Sequence, residues 1–366
     1  MTKEELLTLK VPVPDREILG KIKEAWNKVA KPLDGLGKLE TMLCRIGAAQ
    51  DCAVPQVSPR TVIIMCADNG IVEEGVSQSG QEVTLAVACN MGRRKSSVCK
   101  MAKIADAEVI AVDIGIHSDE RIPGVLDRKI CHGTRNFLKE PAMTEGEVLQ
   151  AVETGICLVK ECHRKGLKIL ATGEMGIGNT TTSTAVAAAI LGLPVKEITG
   201  KGAGLSESGI RHKAEVIQKG LLTYGFVQQT GKPKDRQAEK ERCLKILQCL
   251  GGLDIAGLCG VFIGGALYHV PVVIDGLISA AAALCADGIL PGCREYMLAS
   301  HAGAEPGMKD VLKHLGLSEV IRADLALGEG TGAVMLFPLL DMAMEVFKGS
   351  STFDEIGVEQ YKRHGS

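Results

Sequence analysis

Lys168-Ile-Leu-Ala-Thr-Gly-Glu-Met-Gly-Ile-Gly-Asn-Thr-Thr-Thr-Ser-Thr-Ala185 is the stretch on which the fold turns. A short apolar run ends at Thr172, a turn carrying Gly173, Gly176 and Gly178 follows, and a helical pattern opens near Thr180. That is a strand, a tight turn and a helix in succession. The free N–H groups and dipole at such a helix start favour an anion. The hydroxyls of Thr180, Thr181 and Thr182 add donors. No Gly-Lys-Ser/Thr closes the turn, so it is not a Walker loop. Gly176-x-Gly178 also lacks the third glycine of a dinucleotide fingerprint. The same residues suit a plain glycine turn with a threonine cap, and both readings stand at this level.

Outward from that unit the pattern repeats. Short apolar runs occur at 61–67, 108–112, 270–274, 296–300 and 324–327, each followed by a polar or glycine-rich turn. Strands covered on both faces read this way, and helical patterns between them predict a parallel sheet with crossover helices. The turns are Asp68-Asn69-Gly70, Asp113-Ile-Gly115, Asp275-Gly276, His301-Ala-Gly303 and Gly328-Glu329-Gly330. In open parallel sheets the ligand crevice lies beyond the carboxyl ends of the strands, so these turns are expected to converge. Residues 1–50 predict helices at 21–30 and 36–49, and 335–348 predicts a terminal helix containing Pro338. Residues 228–242 predict a solvated loop running into a helix, and 349–366 a loosely held polar tail.

Composition narrows the class. The 366 residues are 46% apolar and 23% charged, an ordinary globular balance, with 43 glycines and only 3% aromatics. Net charge is −2 and no basic run appears, which argues against nucleic acid as a partner. The first 18 residues have no signal-peptide core. The very apolar 255–290 stretch is interrupted by His269, Pro271, Asp275 and Asp287, and reads as buried core rather than a membrane span. Thirteen cysteines without a CxxC suit a reducing cytoplasm. Cys157, Cys162 and His163 have weak metal spacing within a helical pattern.

Three further constellations have chemical potential. Leu327-Gly-Glu329-Gly places a carboxylate between glycines after an apolar run; burial there would raise its pKa and suit general-base work, whereas the bland reading is a helix-capping Glu. Gly200-Lys-Gly202-Ala-Gly204 followed by Lys213 allows close ligand approach with a point charge beside it, or is a loop before a helix with a solvated lysine. His301 is a site residue or a satisfied core histidine.

These segments, with Lys31-Pro-Leu-Asp-Gly-Leu-Gly-Lys-Leu-Glu40 and the loop from Asp68 to Ser79, occur in an order that resembles the nicotinate-nucleotide–dimethylbenzimidazole phosphoribosyltransferase family over about residues 20–348. The resemblance implies a homodimer with a Rossmann-like parallel β-sheet flanked by helices in a large catalytic domain (56–334), and a smaller helical domain from the two ends (1–55 and 335–366). It implies nicotinate mononucleotide and a benzimidazole as substrates, Glu329 as catalytic base and Glu174 as a second acidic residue. The phosphate falls to Gly176, Gly178, Asn179, Thr180, Thr181 and Lys213. Gly202, Gly204, His301 and Leu327 border the substrates, and Ser79 the base pocket. Val87 stands where a Gln follows that serine in the family, so the pocket is expected to be more apolar or to take a different base. The nicotinate ring nitrogen is cationic in the donor and leaves with the bonding pair, needing no proton, so no metal or cofactor is expected. A nicotinamide-dependent oxidoreductase would need Gly-x-Gly-x-x-Gly after the first strand, where Asp68-Asn-Gly stands instead. A base-binding module without turnover is the non-enzyme alternative.

Overall fold

A computed structural model describes residues 1–202, 204–227 and 235–363. Six parallel strands form the main sheet: β1 (Arg60–Ala67), β2 (Glu108–Gly115), β3 (Leu126–Asp127), β4 (Ile169–Met175), β5 (Val272–Ile274) and β6 (Met297–Ala299). Their order is β3-β2-β1-β4-β5-β6. The expected α/β parallel architecture is therefore present. Because the order reverses between β1 and β4, a crevice opens beyond the ends of those two strands. A short parallel pair, β7 (His301–Ala302) and β8 (Ile321–Arg322), lies beyond β6 in sequence.

Alternation along β1 assigns the two layers. Ile63, Met65 and Ala67 join the core under helices Glu145–Arg164, Asn179–Leu191, Leu253–Leu267 and Leu277–Ile289. Val62, Ile64 and Cys66 face the opposite way, into the core shared by helices Arg16–Lys28, Lys38–Ala49, Ser97–Ile104 and Thr331–Gly349. Every residue of β1 is buried, as a two-sided strand requires. The apolar 253–267 helix is fully interior up to Ala266 and packs on helix Glu145–Arg164. A Cβ at Gly155 would stand 2.1 Å from Gly257 O, and one at Gly260 2.0 Å from Val152 O, so glycine sets that close approach. Among the described residues no helix is long and apolar enough to cross a membrane.

Three expectations need correction or trimming. Residues 324–327 are not a strand: Asp324 adopts φ 47°, which interrupts extension, and the chain runs irregularly from Arg322 into the helix that starts at Thr331. The terminal helix thus begins before residue 335, and it retains Pro338. The 349–366 segment is not loose where it is described. Thr352 bridges to Val29, Ala30 N donates to Ser351 O at 2.9 Å, and Phe353 is buried. Of the 228–242 segment, 228–234 lie outside the described residues, as does Ala203; the helix starts at Arg236, capped by the Asp235 carboxylate.

Candidate active site

Beyond the ends of β4 and β5, a cavity of about 230 Å³ is lined by Glu174, Gly176, Asn179, Thr180, Gly202, Asp275, His301, Glu305, Leu327 and Glu329, among others. A larger cavity, about 360 Å³, touches Ala189–Leu191 at the far end of helix Asn179–Leu191, roughly 18 Å along its axis. Two of its arginines are engaged: Arg294 bonds Asp287, and Arg242 donates to Ala189 O at 2.6 Å. The smaller cavity, at the sheet's switch point, holds the concentration of unusual acids.

Glu174, near the end of β4, is buried, and its carboxylate accepts from Asn179 Nδ2. Asp254, at the start of helix Leu253–Leu267, accepts from the same amide at 3.0 Å and from Ile255 N–H at 3.0 Å. Burial, and then the Asp254 charge, push Glu174 up to about 8; burial pushes Asp254 up to about 6. Glu174, the more strongly raised of the two, therefore keeps its proton near neutral pH. The amide is fixed because Asn179 opens a helix behind Gly178, whose φ of 94° makes the turn.

Glu329 is held differently. It sits at φ 60°, between Gly328 at 80° and Gly330 at 89°. Its backbone lies against Gly173 of β4, where a Cβ would meet Glu329 O at 2.5 Å. The side chain is half-buried, and its carboxylate takes a long contact from Val98 N–H at 3.5 Å. Burial raises its pKa, with the Asp275 charge acting in the same direction and the Val98 contact opposing.

On the cavity's other flank Lys213 is fully buried, and Nζ donates to Thr180 Oγ1 at 2.8 Å. Burial lowers its pKa to about 8, against the pull of Glu305. Glu305 accepts from Gly202 N–H at 3.0 Å. Gly202 has φ 51°, and a Cβ there would crowd Thr180 Oγ1 at 2.7 Å and Lys213 Nζ at 3.3 Å. His301 is buried, pairs Nδ1 with Ser300 Oγ at 2.9 Å, and is pushed down by burial.

Eight of the residues singled out by sequence thus share the cavity: Glu174, Gly176, Asn179, Thr180, Gly202, His301, Leu327 and Glu329. Leu327 sits 54% exposed at the rim. Lys213 stands behind Thr180 rather than on the wall. Gly178 packs towards Asn69 and Val72, and Thr181 is wholly buried. Gly204 O accepts from Gln78, the neighbour of half-buried Ser79, and neither Gly204 nor Ser79 lines the cavity. Val87 is half-buried and packs on the apolar core. Sequence reading missed Asp254 and gave no role to Asp275 or Glu305; the usable signal for Asp254 was one acid in an otherwise apolar helix. Among the described residues no three His, Cys, Asp or Glu side chains gather as a metal site.

A phosphoribosyltransferase family model matches residues 11–358. The chain belongs to that family. It is 40% identical over 346 residues to the nicotinate-nucleotide–dimethylbenzimidazole phosphoribosyltransferase of Ruminiclostridium cellulolyticum, covering 94% of this chain and 95% of the relative. The protein of the same name from Clostridium acetobutylicum is 40% identical over 348 residues, covering 95% and 96%. The crystal structure of CobT from Thermus thermophilus superposes with a TM-score of 0.85 at 34% identity, over 94% of this chain and all of that one. The family match takes in every residue that lines the cavity.

Proposed function

We propose that this chain moves the 5-phosphoribosyl group of nicotinate mononucleotide to 5,6-dimethylbenzimidazole or a related base. The products are α-ribazole 5′-phosphate, for the nucleotide loop of cobalamin, and nicotinate. Family membership supports the reaction. The observation that carries the site is that Glu329 and the glycine turn at Asn179–Thr180 face one cavity.

The donor is β-configured and the product α-configured, so one displacement at the anomeric carbon accounts for the inversion. The bond to the nicotinate nitrogen breaks, and its electron pair leaves with a ring that was cationic in the donor. The incoming nitrogen forms the new bond, and the proton on the other ring nitrogen passes to Glu329. That carboxylate is suited to the work because it is half-buried, raised in pKa and lightly hydrogen-bonded. Thr180 and Gly202 hold the phosphate, with Lys213 behind Thr180 donating to its hydroxyl; the phosphate charge offsets the burial that weakens the lysine. Glu174, with its proton retained to about pH 8, offers a neutral hydrogen-bond donor to the ribose or base. Gly178 and Thr181 support the turn from behind, and Ser79 and Gly204 border the entrance for the base. His301 and Leu327 complete the wall around the donor. Homodimerisation and a cytoplasmic location belong to the same reading; thirteen free thiols suit a reducing compartment.

The test is to incubate the protein with nicotinate mononucleotide and a set of competing benzimidazoles, resolving products by mass. Nicotinate release only in the presence of a base supports the reading. Binding without release refutes it, and the product distribution ranks the bases.

A further inference from the structure

We infer that Asp275 is a positioning residue for the transfer, presenting the Glu329 carboxylate by fastening the chain immediately after it. The inference rests on Glu329 being the proton acceptor, and it adds a second residue, from a different strand, on which that acceptor depends.

The start of helix Thr331–Gly349 has the usual free N–H groups, but its cap residue is Gly330, which has no side chain to satisfy them. Asp275, just past the end of β5, supplies the cap from outside. Its Oδ2 accepts from Gly330 N–H at 3.1 Å and its Oδ1 from Ala333 N–H at 2.9 Å. Both oxygens are used on the segment that follows Glu329. The other side of the elbow rests on Gly173 of β4. The acceptor is therefore clamped between two strands of the main sheet while its own φ, 60°, lies where a residue with a β-carbon gains nothing locally. Asp275 is in turn fixed, because its N–H donates to Ser279 Oγ at 3.2 Å and the residue is 2% exposed.

The arrangement is also electrostatic. Among the described residues, the charged and titratable groups lining the same cavity as Glu329 are Glu174 from β4, Asp275 after β5, His301 from β7 and Glu305, with Asp254 behind Glu174. The His301 ring lies against the first turn of the same helix, since a Cβ on Gly332 would strike it at 2.2 Å. Burial pushes the Asp275 carboxyl up, opposed first by His301 and then by the N–H groups of Ala333, Gly330 and Gly276 at helix starts. The Asp275 charge adds to the burial that raises Glu329.

The decisive experiment compares Asp275→Asn, Asp275→Glu and Glu329→Gln for kcat, KM and pH profile. Asp275→Asn turns an N–H₂ towards one of the two backbone donors, so one anchor is lost. Its kcat should fall on the order of 100-fold, with KM for nicotinate mononucleotide within about threefold of wild type. The acid limb of its kcat–pH profile should move to lower pH, because the neighbouring charge is gone; a purely structural role would leave that limb in place. Asp275→Glu keeps the charge but misplaces the oxygens, so it should lose kcat without moving the limb. Adding Asp275→Asn to Glu329→Gln should lower kcat no further, as for residues acting through one another. Asp275 variants turning over within about threefold of wild type, or raising KM with kcat intact, overturn the inference while an inactive Glu329→Gln leaves the base assignment standing. A fully active Glu329→Gln refutes the base assignment itself. If the Asn variant does not fold, the Glu variant decides by its split between kcat and KM: kcat within about threefold of wild type, or a raised KM with kcat intact, overturns the inference.

Discussion

Gly173→Ala is the most direct test of how the sheet places the acceptor. Gly173 lies in β4, opposite Ile64 of β1. An added Cβ would stand 2.5 Å from Glu329 O, 2.8 Å from Glu329 C and 2.9 Å from Gly330 N. All three are backbone atoms, so no rotamer change relieves the clash. To reach ordinary contact at 3.4 Å the elbow must retreat by about 0.9 Å. The Asp275 bonds resist that movement on the far side. A misplacement of that size costs on the order of 100-fold in turnover, and overpacking costs about 1–3 kcal/mol in stability. KM for the donor should change little, since Thr180 and Lys213 lie on the other flank. Nicotinate release at saturating donor and base gives kcat, and a thermal melt gives the stability change. A variant with kcat within about threefold of wild type and an unchanged melt would refute the claim that β4 sets the position of Glu329.

Other outcomes follow from the same geometry. Lys213→Met should raise KM for nicotinate mononucleotide about tenfold or more; a donor lacking the phosphate should not distinguish the variant from wild type, and equal losses on both donors would place the phosphate elsewhere. Glu174 holds its proton to about 8 when folded and to 4.5 when unfolded. Its contribution is therefore fully present below 4.5 and is lost as pH rises through about 8. Glu174→Gln should flatten the fall in melting temperature across that window, and parallel wild-type and variant curves would count against a buried neutral Glu174. Phe353→Ala should cost about 3 kcal/mol in urea unfolding, and a loss below about 1 kcal/mol would mean the C-terminal segment contributes little to holding the fold together.

The sheet was legible because its strands are short apolar runs ending in glycine or acid, a local pattern that needs no knowledge of the fold. The cavity followed in part: the turns after β4 and β5, His301, Gly303 and Gly328-Glu329 line it, whereas Asp68-Asn69-Gly70 and Asp113-Ile-Gly115 do not. What escaped was non-local. Asp254 matters through Asn179, 75 residues away in sequence, and Asp275 through Gly330, 55 residues away. Nothing in the periodicity around either acid marks such a partner. Residues 324–327 misled because an apolar run beside β8 resembles a strand, while Asp324 turns the chain instead. The tail misled because its anchors, the Thr352–Val29 bridge, the buried Phe353 ring and the Arg363 bonds to Asp34 and Asn27, are scattered points that make no pattern.

The contact of Thr352 with Val29 joins points about 320 residues apart, which at ribosomal speeds of 5–20 residues per second means roughly 15–60 s between their syntheses. During that interval Ile22, Trp26 and Leu43 have emerged without the helix that later covers them. The nascent chain therefore carries an oily, unfinished flank for most of its translation. Holding chaperones would act on that flank first, and messages truncated near the 3′ end would yield chains that remain dependent on them.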